Sequence, residues 1–270
     1  MASEKNPQRL VPGDAGARQA KHFEEVGDEY LWVRRELPIT RRYYEFWTSE
    51  LLRRAPPVVT GWSVDGLCGG ADVAYAGSVS PRWLGVDISL NHLLMPPSES
   101  PKTRVSRIAG DVTRMPVREG TLDAVYIRGA LHHVPDYPLA LRETLRLLRP
   151  GGRLVMSEPS DDVSLYRWMR NSVYRSCSCF DAETEKAFRK TELVQSLEDS
   201  GFRILEYRPF GYAAYMILGQ TDVIRVFQKI QKLPGAMALA EFLIWIDRVS
   251  SRIPLVRHFA FANMVVAERP

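Results

Sequence analysis

The sequence predicts an α/β protein built on a mostly parallel sheet, and three observations carry the prediction. Apolar strand patterns alternate with amphipathic helical patterns from about residue 58 to residue 159. Acidic residues close the first three strand patterns, at Asp65, Asp87 and Asp111. Turn residues, above all Pro150-Gly151-Gly152, separate helix from strand. Strand, loop, helix, tight turn, strand is the pattern of parallel units. In such sheets ligands bind at the carboxyl ends of the strands, where Asp111 and the loop carrying His132 and His133 would sit.

Residues 1–15 are rich in Pro, Gly and charge and read as a disordered tail. Residues 16–57 hold two helical patterns. Phe23, Val26, Tyr30 and Val33 recur at one helical spacing, Tyr43, Phe46, Trp47, Leu51 and Leu52 at another, before Pro56-Pro57. A first strand runs from Val58 to Asp65, with a helix opening near Gly70. Trp83–Asp87, Val105–Ala109 and Leu122–Ile127 follow as strands two to four. A helix from Pro138 to Leu148, with proline in its first turn, leads to a fifth strand at Arg153–Met156. Beyond Pro159 the pattern predicts a helix over Ser164–Tyr174. Another spans Thr191–Ser200, with Thr191 as cap and Gly201 as stop. Phe202–Tyr207 and Phe259–Ala267 read as the last strands. They are separated by roughly 50 residues, far beyond an ordinary loop. This insertion, residues 211–257, carries helical patterns over Asp222–Gln231 and Ala236–Ser250.

The 270 residues, 45% hydrophobic and 25% charged, suffice for a sizeable core. A formal charge of +4 is spread along the chain rather than gathered into the basic stripe with interleaved aromatics that nucleic acid binding wants. No run of about 18 apolar residues exists, and the polar first residues do not form a secretory signal. Three cysteines, Cys68, Cys177 and Cys179, form neither a disulfide framework nor, with the histidines, a zinc set. A cytoplasmic protein with no bound metal is the expectation.

GDVTRMP (110–116), DAVYIRGALHHV (123–134) and LLRPGGRLVMSEP (147–159) occur in order. With them the chain resembles the class I S-adenosylmethionine-dependent methyltransferases, in particular the broad bacterial group that acts on small molecules. The resemblance covers about residues 58–159. It implies a Rossmann-like fold with an antiparallel edge strand, S-adenosylmethionine as cofactor, and an N-terminal helical lid over residues 16–57. Residues 58–210 would then form the cofactor-binding core and 258–270 its final strand.

The family's first motif, Asp-x-Gly-x-Gly-x-Gly, falls on Asp65 to Ala71. Asp65 and Gly69 match, but Leu67 and Ala71 replace two glycines. Glycine permits positive φ at such a turn, so both replacements should strain it, with Gly66 and Gly70 available to restore it. Asp87, 22 positions after Asp65, has two acceptor oxygens suited to a ribose diol, with Ile88 beside it; alternatively it caps the following turn. The resemblance implies that the Asp111 carboxylate and the Val112 backbone N–H contact adenine, and that the Arg128 backbone meets the amino-acid end of the cofactor. A turn cap with Thr113 is the other reading of Asp111. The stretch from Gly66 to Ala71 lacks the G-x-G-x-x-G spacing of nicotinamide-cofactor enzymes.

Methyl transfer from a sulfonium is in-line displacement, so the protein chiefly aligns the acceptor and excludes water. A hydroxyl acceptor benefits from a general base, and His133 is the candidate, with His132 and Tyr30 as substrate contacts. The histidines can equally organise their loop, and Tyr30, Trp32 and Tyr43 can equally be core. The apolar insertion helix, with Trp245, Arg248 and Arg252, either packs on the domain or serves as a cap for a lipophilic acceptor, a dimer surface or a peripheral membrane contact. Two other functions share the pattern: cofactor binding without methylation, in a partner or regulatory subunit, and a non-methylating cyclisation or elimination.

Overall fold

The computed structural model describes residues 21, 32–56, 59–76, 79–95, 104–176 and 187–270, with side chains not described for 172–176. In chain order the elements are α1 (Pro38–Leu52), β1 (Trp62–Gly66), α2 (Asp72–Ala76), β2 (Arg82–Asp87), α3 (Leu90–Leu94) and β3 (Val105–Ala109). They continue with β4 (Leu122–Arg128), α4 (Tyr137–Leu147), β5 (Leu148–Pro159), α5 (Ser164–Ser176) and α6 (Lys190–Asp199). Last come β6 (Arg203–Phe210), α7 (Ala213–Ile217), α8 (Ala236–Ser250) and β7 (Ala262–Glu268). Short 3₁₀ helices cover Leu131–His133, Arg225–Lys232 and Val256–Phe259.

The seven strands lie in the order β3-β2-β1-β4-β5-β7-β6. β1 to β5 pair in parallel, and β7 runs antiparallel between β5 and the edge strand β6. Chain order reverses between β1 and β4, which opens a crevice at their carboxyl ends. This is the Rossmann-like sheet anticipated from the sequence.

Period-two alternation divides the core between the two faces. Ala124, Tyr126, Val155, Met264 and Val266 point to one side, where they meet α1, α7 and α8. Val125, Ile127, Leu154, Met156 and Val265 point to the other, against α4 and α6. The insertion therefore packs on the same face as α1. Arg34 donates to Asp222 at 2.9 and 3.1 Å, Thr40 meets Thr221 at 2.8 Å, and Arg42 donates to Glu241. α1, with the turn before it, and the insertion form one layer.

Several boundaries differ from the sequence reading, each for a local reason. The first strand begins at Trp62, because the Asp123 carboxylate takes the backbone N–H groups of Thr60 and Gly61 (3.1 and 2.5 Å) before they can join a ladder. β5 starts at Leu148, paired with Leu122, and the Pro150-Gly151-Gly152 turn is an irregularity within it. Arg189, not Thr191, occupies the N-cap of α6 and supplies no side-chain bond. The helix anticipated over 222–231 is a 3₁₀ segment followed at once by Leu233-Pro234-Gly235, too short a run for a stable α-helix. The final strand begins at Ala262, after the 3₁₀ turn, and α7 had no counterpart in the periodicity. Ala236–Ser250 and Val105–Ala109 match residue for residue. The first predicted helix and the 1–15 tail lie almost wholly outside the described residues.

Candidate functional site

The carboxyl ends of β1, β2, β4 and β5 bring the candidate residues together. β1 runs into the turn Leu67 to Ala71, which keeps a left-handed backbone at both positions where glycine was replaced. Leu67 has φ 57° and Ala71 φ 59°, with Gly69 at 51° between them. Non-glycine residues in this region cost roughly 1–2 kcal/mol each. Leu67 is partly buried against the lower core cluster, so its bulk is accommodated there.

Gly66 and Gly70 do not restore the turn by conformational freedom, since neither has positive φ. Gly70 serves another purpose. Arg35, from the helical turn before α1, donates to the Gly70 carbonyl at 3.2 Å and to Asp72 at 2.8 Å. A Cβ on Gly70 would stand 1.7 Å from the guanidinium. The missing side chain makes room for Arg35, a residue the sequence reading did not single out.

Asp65 is almost fully buried and accepts the Ala74 N–H at 3.0 Å, which satisfies a donor at the start of α2. Burial pushes its carboxyl up to about 7, opposed by the Ala74 N–H and Arg128. The Arg128 guanidinium reaches Thr48 at 2.5 Å and Asp72 at 3.4 Å, and lies 5.2 Å from the Tyr44 ring. Asp72 thus bridges two arginines, and the Arg128 side chain fastens α1 to the end of β4.

Asp87 accepts the Gly69 N–H at 2.7 Å on one oxygen and the Ser89 N–H at 2.9 Å on the other. It braces the glycine turn from the neighbouring strand. Burial raises its pKa, with the two N–H bonds, His92 and His133 opposing. A carboxylate has about four lone-pair sites, so two acceptor directions remain for a diol. Ile88, half-buried, follows it. Asp111 binds both the N–H and the hydroxyl of Thr113 through Oδ1 (2.8 Å each), so the turn-cap reading holds. Oδ2 makes no hydrogen bond among the described residues, and Val112 is buried beside it. A free carboxylate acceptor beside a backbone N–H fits a nucleobase with an exocyclic amine.

The histidine loop is organised by Glu158 at the end of β5. Its fully buried carboxylate accepts the backbone N–H groups of Ala130, Leu131 and His132 (3.1, 2.9 and 3.2 Å) and meets His132 Nδ1 at 2.8 Å. Burial pushes Glu158 up to about 7, against those three N–H groups and His133. His132 is buried with its ring 3.9 Å from that of His133. His133 is half-buried and close enough to Asp87 and Glu158 to favour the ionised form of each. The pair therefore divides: His132 is engaged with the loop's anchor, while His133 also lies near Asp87. The sequence alone assigns Glu158 no part.

Of the aromatic candidates, Tyr43 is fully buried among Tyr44, Phe46, Trp47 and Tyr215, and belongs to the core. Trp32 is 55% exposed, and Tyr30 lies outside the described residues, as do Cys177 and Cys179.

Comparison with known proteins agrees with this geometry. Residues 65–156, from the glycine turn to β5, match the family model described as a methyltransferase domain. A demethylmenaquinone methyltransferase of Bacillus cereus is 25% identical over 221 residues, 73% of this chain and 92% of that protein. Among solved structures, a geranyl diphosphate methyltransferase in complex with S-adenosylmethionine superposes with a TM-score of 0.59 at 16% identity, covering 97% of this chain and 93% of the other. The [4+2]-cyclase SpnF superposes with a TM-score of 0.57 at 17% identity, covering 84% and 80%. At these identities the structural likenesses establish the fold.

Proposed function

We propose that the chain is a class I S-adenosylmethionine-dependent methyltransferase, its residues 65–156 matching a methyltransferase domain, and that it methylates a small lipophilic acceptor at the carboxyl edge of β1, β2 and β4. The observation that carries the reading is the glycine turn, kept left-handed at Leu67 and Ala71 and braced by Asp87. A chain without use for that turn would have relaxed it, since each strained position costs stability.

In this reading Asp87 and Ile88 hold the ribose, while Asp111 Oδ2 and the Val112 backbone hold the adenine. The turn from Asp65 through Leu67 to Gly69, with the Arg128 backbone, faces the methionine end. The bound cofactor would supply an electrophilic methyl group. The protein's share is alignment, exclusion of water and proton removal. His133 acts as the base for a hydroxyl acceptor. The demethylmenaquinone methyltransferases, matched over 92% of their length, support a lipophilic acceptor.

Calorimetric titration with S-adenosylmethionine and S-adenosylhomocysteine, beside Asp87→Ala, tests the cofactor site. Micromolar binding that the variant loses is the expected result, and no binding by folded protein would overturn it. Turnover with a hydroquinone acceptor should then fall at least tenfold in His133→Ala. Conversion of a substrate with the methyl group retained would identify a non-methylating reaction instead.

A further inference from the structure

α8 has two faces, and only one is used by the fold. Ala240, Leu243, Ile244 and Asp247 are buried against α1 and α7, where Asp247 accepts the backbone N–H groups of Tyr212 and Ala214 at 2.9 Å. On the opposite face Phe242 and Trp245 are 55% and 56% exposed, their rings stacked 6.0 Å apart. Ile253, Leu255 and Phe259 continue the exposed apolar surface past the end of the helix, Leu255 at 81%. Large apolar side chains clustered in this way on one segment differ from the scattered ones any surface carries.

The charge of the insertion is one-sided. Residues 211–257 hold six basic residues (Arg225, Lys229, Lys232, Arg248, Arg252 and Arg257), all exposed, against three acidic ones. Asp222 is tied to Arg34, Glu241 to Arg42, and Asp247 is buried. Arg248 lies one turn after Trp245 on the helix, its guanidinium 5.0 Å from the Phe46 ring, and the exposed Arg252 follows just past the helix end. Arg248 is also near Arg53; partial burial of Arg53, then repulsion by Arg248, Arg54 and Arg208, pulls the Arg53 guanidinium below its usual range. Residues 211–257 carry more cation than their own acids can neutralise.

We infer that the outer face of α8, with the 253–259 turn, docks on an anionic lipid bilayer, its aromatic residues in the interface and its arginines and lysines on the headgroups. Aromatic side chains reaching the acyl boundary beside long cationic chains are what interfacial helices use. Each Lys or Arg near an anionic surface is worth about fivefold in partition. Because the inner face of α8 is occupied by this chain's own core, the aromatic pair points away from that core. Docking is thus independent of which acceptor the enzyme uses, and it would hold the enzyme where lipophilic acceptors reside.

Flotation of the full chain with vesicles of phosphatidylcholine, alone or with about 30% phosphatidylglycerol, tests this without cofactor or acceptor. Binding to the anionic vesicles only, weakened by raising salt from roughly 0.1 to 0.5 M, is expected. Phe242→Ser/Trp245→Ser should lower partition about tenfold, and Lys232→Glu/Arg252→Glu, which removes two cations and adds two anions, by about 25-fold or more. All four positions are exposed, so thermal melting should be unchanged. Absence of binding, equal binding to neutral vesicles, or variants that bind like wild type would overturn the inference. So would a solution dimer that the Phe242/Trp245 variant dissociates, since the face would then be a self-association surface.

Discussion

Replacing Glu158 by Gln should change not only the stability of the protein but its dependence on pH. The folded-state pKa of Glu158, about 7, lies above the ordinary value of 4.5 because the carboxyl is buried. Folding therefore favours the protonated form. The associated stability is fully present below pH 4.5 and is lost as pH rises through about 7. The span of about 2.5 units at 1.36 kcal/mol per unit amounts to about 3 kcal/mol. Gln cannot titrate, so this component should vanish in the variant. Gln also keeps one acceptor, sufficient for the Ala130 and Leu131 N–H groups, but turns an NH₂ toward the His132 N–H and ring. One buried donor without an acceptor costs roughly 1–3 kcal/mol. The variant should be less stable than wild type at pH 5 and converge toward it at pH 8. Urea unfolding of both proteins across this range measures the difference directly, and contributions from other buried acids cancel. Parallel stability curves would refute the assignment of Glu158 as a buried, titrating anchor.

Three further outcomes follow from the same structure. Ala71→Gly should raise stability by about 1 kcal/mol, as expected where a left-handed non-glycine residue is relieved of its Cβ; a melting temperature below wild type would contradict this. Gly70→Ala should displace Arg35 and lower the melting temperature, whereas in an Arg35→Ala background the same change should cost little; additive effects in that double-mutant cycle would show that Arg35 does not fill the space above Gly70. Asp247→Ala should cost about 3 kcal/mol or more in chemical denaturation, because the backbone N–H groups of Tyr212, Ala214 and Tyr215 lose their buried acceptor together; a loss under 1 kcal/mol would mean that these donors find other partners.

The sheet was legible because its evidence is local and periodic. Val105–Ala109 and Ala236–Ser250 match residue for residue, each bounded by its own apolar pattern. Where boundaries slipped, a distant side chain had intervened: Asp123 claims the N–H groups of Thr60 and Gly61 from more than sixty residues away. The same distinction separates the site residues. Asp65, Asp87 and Asp111 could be found because each ends a strand, and strand ends converge in a parallel sheet. Arg35 and Glu158 were passed over because their importance lies in partners that no spacing rule links to them.

The glycine turn shows most clearly how far a motif can be read. A missing glycine says that a left-handed position has become costly, not that it has been abandoned. Leu67 and Ala71 retain φ values of 57° and 59°, between strands whose register fixes the turn on both sides. The Cys68 N–H donates to the Val86 carbonyl at 3.0 Å, the Gly69 N–H to Asp87, and the Ala71 N–H to the Cys68 carbonyl at 2.8 Å. Three hydrogen bonds over four residues, each worth roughly 0.5–1.5 kcal/mol net, are enough to hold two strained backbones of about 1 kcal/mol apiece. The conformation is therefore imposed by its surroundings rather than by the residues that adopt it. Asp87 is then more consequential than either substituted glycine: its Oδ2 holds the turn's central N–H, so Asp87→Ala should loosen the Leu67–Ala71 backbone even without a ligand. Faster amide exchange at Gly69 in the ligand-free variant would demonstrate that bracing, while unchanged exchange there would assign the turn's shape to the strand register alone.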